Sequence, residues 1–329
     1  MTSLYRRILY KAWLITKKYY YLWPLGFFVA FLGNGGEYQM LLDQIEKIGT
    51  SPESLFNFKT LFNGALFQGW DFNIIRGFFL ILFFVFVLAL ILSFIWLVIS
   101  SIAGFMEGVV LAEKNEKKTL LKLILSGSKN FKAVFGIYFF AKIIIYGLLI
   151  FILSPILLTT LARDNESLNV FIIFLNFLIF VPIAIIVSFV ARFATAYVVF
   201  QGQKMVEALK NGWRLFVANW LISLEMAAIL FIINILIGFV FYVFSRILFS
   251  VFFMTGIIET MKTPGAFWNI MLAPTIIIAL LFLFLGAILA TYQTSAWTLL
   301  YLRLTEGRKA YSKLVRWAAI LPGKIKSNK

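Results

Sequence analysis

Cysteine and histidine are both absent from the 329 residues, and aspartate and glutamate together number only 14. The chain therefore has no imidazole base, no thiol nucleophile and no disulfide, and it cannot hold zinc, haem or an iron–sulfur cluster through His or Cys. A chain without cysteine is compatible with either face of a membrane, so this absence leaves the redox compartment open. The few carboxylates form no dense cluster that could bind a divalent metal. A P-loop, a Gly-x-Ser-x-Gly elbow and a His-Glu-x-x-His pair are missing as well. The expectation is a non-enzyme with no catalytic residues, no cofactor and no metal.

What is abundant is apolar. Hydrophobic residues make up 62% of the chain, aromatic residues 18% and charged residues 13%, with a mean hydropathy of +0.95. That composition excludes an ordinary soluble domain and predicts an integral membrane protein. Among the charges, 30 Lys and Arg outweigh 14 Asp and Glu, for a net +16.

A hydrocarbon layer of roughly 30 Å needs about 20 apolar residues in helix. Five stretches meet this with few or no charges: 77–102, 134–158, 170–190, 221–244 and 274–292. A sixth, 19–33, is short, contains Pro24, and reaches a span's length only if Tyr19, Tyr20, Tyr21 and Trp23 are counted as an interfacial belt. The basic residues Arg6, Arg7, Lys11, Lys17 and Lys18 ahead of it resemble the start of a secretory signal. No small-x-small cleavage site follows, which predicts an uncleaved signal anchor. Pro155 and Pro182 are expected to kink their helices without ending them.

Charge arbitrates the topology, because Lys and Arg collect in cytoplasmic loops. Six spans with both termini inside put 24 of the 30 cations on the cytoplasmic side, and eight of the 14 carboxylates outside. Dropping the first span would move the five N-terminal cations outside, so six spans are preferred. Trp70 and Trp268 then fall at outer interfaces, and Trp23, Trp96, Trp213, Trp220 and Trp297 near inner ends. The Phe, Ile, Leu and Lys usage matches an AT-rich prokaryotic genome, which points to the cytoplasmic (inner) membrane. Nucleic-acid binding is disfavoured, since topology accounts for the basic excess.

Between the spans lie amphipathic segments. In 203–220, Met205, Leu209, Trp213, Phe216 and Trp220 form one stripe, opposite Lys204, Glu207, Lys210, Asn211 and Arg214. Leu120, Ile124, Phe131 and Phe135 repeat the theme against Lys118, Lys122, Lys129 and Asn130, and residues 1–18 and the basic tail 303–329 do so again. Such helices either lie in an anionic headgroup layer or pack on the bundle with a solvated basic face. On the first reading Lys204, Lys210, Trp213 and Arg214 are candidate lipid-surface contacts. The partners expected are the bilayer and anionic lipid on its cytoplasmic face, and the charge pattern specifies no protein partner or oligomer.

Val198, Val199 and Phe200 leading to 207–216 resemble Val109, Val110 and Leu111 leading to 122–131. Each unit is a span entering the cytoplasm, an amphipathic helix and a span returning. The last span with its tail, and the N-terminal helix with the first span, supply the same parts split across the termini. On the outer side, 37–48 and 51–68 read as short helices over the mouth of the bundle, and 251–269 as an interfacial stretch broken at Pro264 and Gly265.

Ionisable groups inside spans are functional candidates by default. Lys142, Arg192 and Glu225 all fall in the inner leaflet, where Glu225 could pair with Lys142 or Arg192. This cluster reads either as a polar cavity for an ion, proton or lipid headgroup, or as a structural ion pair with snorkelling cations.

The run Gln203-Lys-Met-Val-Glu-Ala-Leu-Lys-Asn-Gly-Trp-Arg-Leu-Phe216, preceded by Arg192 and Phe193, resembles a recurring segment of bacterial six-span membrane proteins. These are related to the membrane domain ahead of some glycerophosphodiester phosphodiesterases. Thr294-Ser-Ala-Trp-Thr-Leu-Leu-Tyr301 resembles that family's last span. The resemblance implies an α-helical membrane domain, and it does not carry the catalytic activity, because the barrel that supplies it is absent. The expectation is thus a single all-α polytopic domain, residues 1–329, with six transmembrane helices and cytoplasmic interfacial helices. It would organise or assist membrane components or lipids; the alternative is a transporter or permease for a small solute or lipid that uses the inner-leaflet polar cluster.

Overall fold

Long uninterrupted apolar runs have one economical way to satisfy their backbone in lipid, the α-helix. The computed structural model describes residues 4–33, 74–161, 166–260 and 266–306, and these are helical almost throughout, with no strand among them. In chain order the helices are α1 (Leu4–Lys18), α2 (Trp23–Ala30), α3 (Ile74–Glu113), α4 (Leu120–Ser128), α5 (Phe131–Leu161), α6 (Glu166–Gln201), α7 (Met205–Ala218), α8 (Trp220–Thr260) and α9 (Ala266–Thr305). Five of them, α3, α5, α6, α8 and α9, are long and apolar enough to cross a membrane. The protein is an all-α helical membrane bundle. Large apolar side chains cover its periphery, with Phe83 and Phe84 of α3 about as exposed as Phe231 and Phe239 of α8. In water such a surface would be an aggregation liability, and in lipid it is the solvated face.

The segment 19–33 departs from its expectation. Tyr20–Leu22 is a tight 3₁₀ turn, and the helix after it, α2, has only eight residues. At 1.5 Å per residue α2 rises about 12 Å, well short of the roughly 30 Å hydrocarbon layer. Pro24 sits in its first turn, where a missing amide hydrogen costs nothing, and the glycine-rich run from Gly33 follows its end. Within 251–269, α8 runs unbroken through Thr260 and is 41 residues long, and the break expected at Pro264 and Gly265 lies outside the described residues. The outer helices expected over 37–48 and 51–68, and the tail beyond Glu306, lie outside the described residues.

The core lies at one end of the long helices, where the three short helices α1, α4 and α7 pack. Polar contacts tie α1 and α4 to the same end of α3. Lys11 of α1 meets Glu113 at the end of α3 at 2.6 Å, Lys18 reaches Asn115 at 3.0 Å, and Lys118 just before α4 meets Glu107 at 2.5 Å. The end of α9 joins them, since Tyr301 stacks on Phe200 and meets Tyr197 edge-on at the end of α6. Helices α1, α4 and α7 thus lie at one end of the bundle.

Three units of like construction follow: α3–α4–α5, α6–α7–α8, and, closed across the termini, α9–α1–α2. In each, a long helix arrives, a short helix lies against it, and a further helix returns. The first two agree in detail. Gly127 of α4 sits on the backbone of Ser100 and Gly104, and Gly212 of α7 sits on that of Val190 and Ala194. Counted from Val109 and Val198, those seats coincide within one residue. Both long helices end on a left-handed residue, Asn115 (φ 60°) after α3 and Gly202 (φ 62°) after α6. Both short helices start from an extended cap, Thr119 and Lys204. In the third unit the close approach belongs to the returning helix, where Gly26 of α2 abuts Ala287 and Thr291 of α9.

Candidate functional site

The incoming helices α3, α6 and α9 touch one another at the centre, and α2, α5 and α8 stand outside them. Helix α8 packs along α9 and makes no comparable seam with α5 or α6. The space left between them is a cavity of about 930 Å³ walled by α2, α3, α5, α6, α8 and α9. Most of its lining is apolar, including Ile145, Val181, Leu224 and Phe231, but polar groups converge on it from four helices. These are Tyr138 and Lys142 of α5, Ser188 and Arg192 of α6, Asn234 of α8, and Gln293 and Thr294 of α9. An apolar chamber with a few placed polar groups is the usual form of a small-molecule site.

The helices set these groups at similar depth. Counting from the short-helix end at 1.5 Å per residue, Arg192 lies about 14 Å in, Lys142 about 16 Å, Gln293 about 18 Å and Asn234 about 21 Å. Lys142 Nζ donates to the Gly33 carbonyl oxygen at 3.1 Å, tying the end of α2 to α5. The Arg192 guanidinium lies 5.1 Å above the ring of Trp297, which also packs against Phe189 and Phe193. Guanidinium over an indole face is a favourable seat for a cation inside a low-dielectric bundle. Gln293 donates to Asn234 at 2.7 Å across α9 and α8. Among the described lining residues there are two cations and no carboxylate.

Of the three intramembrane charges singled out in the sequence, Lys142 and Arg192 thus line one chamber. Glu225 is not among its described lining residues. Its carboxylate accepts a short hydrogen bond from the Tyr5 hydroxyl, joining α8 to α1. Tyr5 is fully buried, so this polar contact holds the N-terminal helix in place. Tyr5 escaped the sequence reading because its partner is 220 positions away. Asn234 and Gln293 escaped it for another reason: attention to charge passed over neutral amides inside apolar runs, which are themselves a signal of interhelical bonding.

The residues chosen as lipid-surface contacts divide from the core cleanly. Helix α7 buries Ala208, Gly212 and Phe216 against α6 and exposes Lys204, Lys210, Trp213 and Arg214. Within the apolar stripe Trp213 and Trp220 are 51% and 54% exposed, and the tight contact with α6 is made by small residues. Trp297 is corrected in the opposite sense, being 5% exposed and part of the core instead of an interface belt. Among the described residues no cluster of acidic side chains could hold a metal ion.

The chain matches no family model, no curated protein and no solved structure.

Proposed function

We propose that this is a non-catalytic, multi-pass protein of a prokaryotic cytoplasmic membrane that assists membrane lipids by admitting an amphiphile into the chamber between its helices. The observation that carries this reading is the cavity of about 930 Å³, apolar along most of its wall and polar at one level. Pockets of roughly 300–1,000 Å³ accommodate drug-sized ligands, and the weak seam between α8 and the α5–α6 pair offers a way in from the bilayer. The orientation follows from charge: the short-helix end bears Lys11, Lys18, Lys118, Lys204, Lys210 and Arg214, and the positive-inside rule turns that end to the cytoplasm. There α1, α4 and α7 act as amphipathic interfacial helices. They present Tyr10, Trp13, Leu121, Leu125 and Trp213 beside their cations, and this mixture suits an anionic headgroup layer. The resemblance to membrane domains ahead of some phosphodiesterases fits a role beside lipid chemistry without performing it.

The test is lipid retention. Purified from membranes and washed extensively in detergent, the protein is expected to carry a tightly held lipid in native mass spectrometry. Ala227→Phe, which projects a ring into the chamber, is expected to lose it while keeping its unfolding temperature within a few degrees. A second reading, transport of a small anionic solute, is favoured by the placement of Lys142 and Arg192 well inside the bundle. It predicts flux across liposomes, and a chamber that retains no lipid.

A further inference from the structure

A threonine inside an apolar helix commonly turns its hydroxyl back onto the carbonyl one turn earlier. Helix α9 does so at Thr275, Thr291, Thr298 and Thr305, whose Oγ1 atoms donate to carbonyl oxygens four residues back at 2.8–3.0 Å. Among the described residues Thr294 makes no such bond, and it is the threonine of α9 that lines the chamber. Next to it in the chain, Gln293 donates from Nε2 to Asn234 Oδ1 at 2.7 Å, and both of these side chains line the chamber too. That bond uses one amide hydrogen of Gln293 and one lone pair of Asn234. By inventory the pair keeps the two amide hydrogens of Asn234 and the carbonyl oxygen of Gln293. With the Thr294 hydroxyl, the α8–α9 wall therefore offers donors and acceptors together, all of them neutral.

Depth favours a neutral ligand at this wall. Asn234 and Gln293 lie about 18–21 Å in from the short-helix end, and the midplane of a bilayer about 40–45 Å thick lies at about the same distance from its surface. A phosphate brought to that level gives up its water at a cost that an uncharged hydroxyl is largely spared. The chamber's cations are engaged elsewhere, Arg192 over the face of Trp297, Lys142 on the Gly33 carbonyl, and both in further contacts. Apolar surface from Leu224 and Phe231 flanks the opening left by the weak α8 seam.

We propose that the chamber is a binding site for a neutral, hydroxyl-bearing amphiphile of the diacylglycerol or long-chain alcohol class. Its hydroxyl donates to the Gln293 carbonyl and accepts from the Asn234 amide or the Thr294 hydroxyl, and its chains leave along α8 toward the bilayer. The proposal rests on the reading that the chamber admits lipid, and it adds the chemistry of the headgroup.

The experiment is competitive retention by full-length protein in mixed detergent micelles, read by native mass spectrometry. Equal amounts of dioleoylglycerol, its acetyl ester and dioleoyl phosphatidylglycerol are offered; the ester keeps both chains and lacks the free hydroxyl. The expected result is retention of dioleoylglycerol over the ester by about tenfold, the order expected for hydrogen bonds made or lost in a dry site. Asn234→Leu with Gln293→Leu removes both partners of the pair at once, so no orphaned amide remains. That variant should retain the alcohol and the ester equally, and Thr294→Val should narrow the preference. Equal retention of alcohol and ester by the unmodified protein overturns the proposal and leaves lipid admission standing. Retention of none of the three overturns both. Preference for the phosphatidylglycerol makes the ligand anionic and overturns the neutral headgroup. A double variant with a lower unfolding temperature and an unchanged preference makes the pair an interhelical tie only, and overturns the site. If the double variant does not fold, Thr294→Val decides: a narrowed preference supports the site and an unchanged one overturns it.

Discussion

Gly127 and Gly212 hold the same post on two different helices, and each lets a short helix rest directly on the backbone of a long one. A Cβ at Gly127 would collide with the Ser100 carbonyl, and one at Gly212 would lie 2.8 Å from the Ala194 amide nitrogen. Backbone cannot give way as a flexible side chain can, so Gly127→Ala and Gly212→Ala should each cost about 1–3 kcal/mol. Gly147 of α5 has open space around its Cβ position, and Gly147→Ala should be neutral or stabilising by about 0.5–1 kcal/mol. Thermal unfolding in detergent checks the contrast, and equal shifts at all three sites would count against the packing. Tyr5→Phe removes the hydroxyl that Glu225 accepts from and leaves a half-buried carboxylate with one donor fewer. A loss of about 1–3 kcal/mol is expected, expressed locally. Amide exchange should quicken in α1 and stay unchanged in α7; uniform quickening would mean that the contact supports the whole bundle.

At the scale of the element, the sequence was most readable where periodicity and burial coincide. In helix α1 Ile8 and Ile15 are buried and Arg6, Arg7, Lys11 and Lys18 exposed, as its spacing implied, and Tyr5 and Ala12 join the buried face. Lys142 and Arg192 were visible as charges in apolar runs. Helix lengths were less readable. The span expected over 221–244 continues as one helix through Thr260, because polar side chains beyond the bilayer do not stop a helix that propensity and length sustain. The length of α2 was obscured by an aromatic run, Tyr19 to Trp23, that composition counts as span and local geometry turns into a 3₁₀ turn. Trp297 was misplaced because a tryptophan near a span's end is read as interfacial, and only packing shows that Phe189, Phe193 and Arg192 enclose it. The exposed cations of α7 offer the test at this scale. Each is worth about 1 kcal/mol beside anionic lipid, so Lys204→Glu, Lys210→Glu and Arg214→Glu together should weaken insertion or scramble topology. Protease accessibility in membrane vesicles reads the outcome, and an unchanged pattern would leave these cations a solvated face only.

For the whole molecule, the decisive feature is where packing stops. Three units of long, short and returning helix close a ring at one end, and the closed end carries most of the core. Away from it the long helices diverge, α8 keeps contact with α9, and the chamber opens beside α5 and α6. The first two units were legible in outline because their short helices, α4 and α7, share a glycine at the same step. The chamber was not, because a cavity is a property of how helices fail to meet, which no single segment encodes. The proposed function rests on an amphiphile occupying it. Cryo-electron microscopy of the protein in nanodiscs containing anionic lipid tests this most directly. The account predicts elongated density entering between α8 and α5; a chamber closed by α8 packing onto α5 and α6, or one filled with water alone, would contradict it.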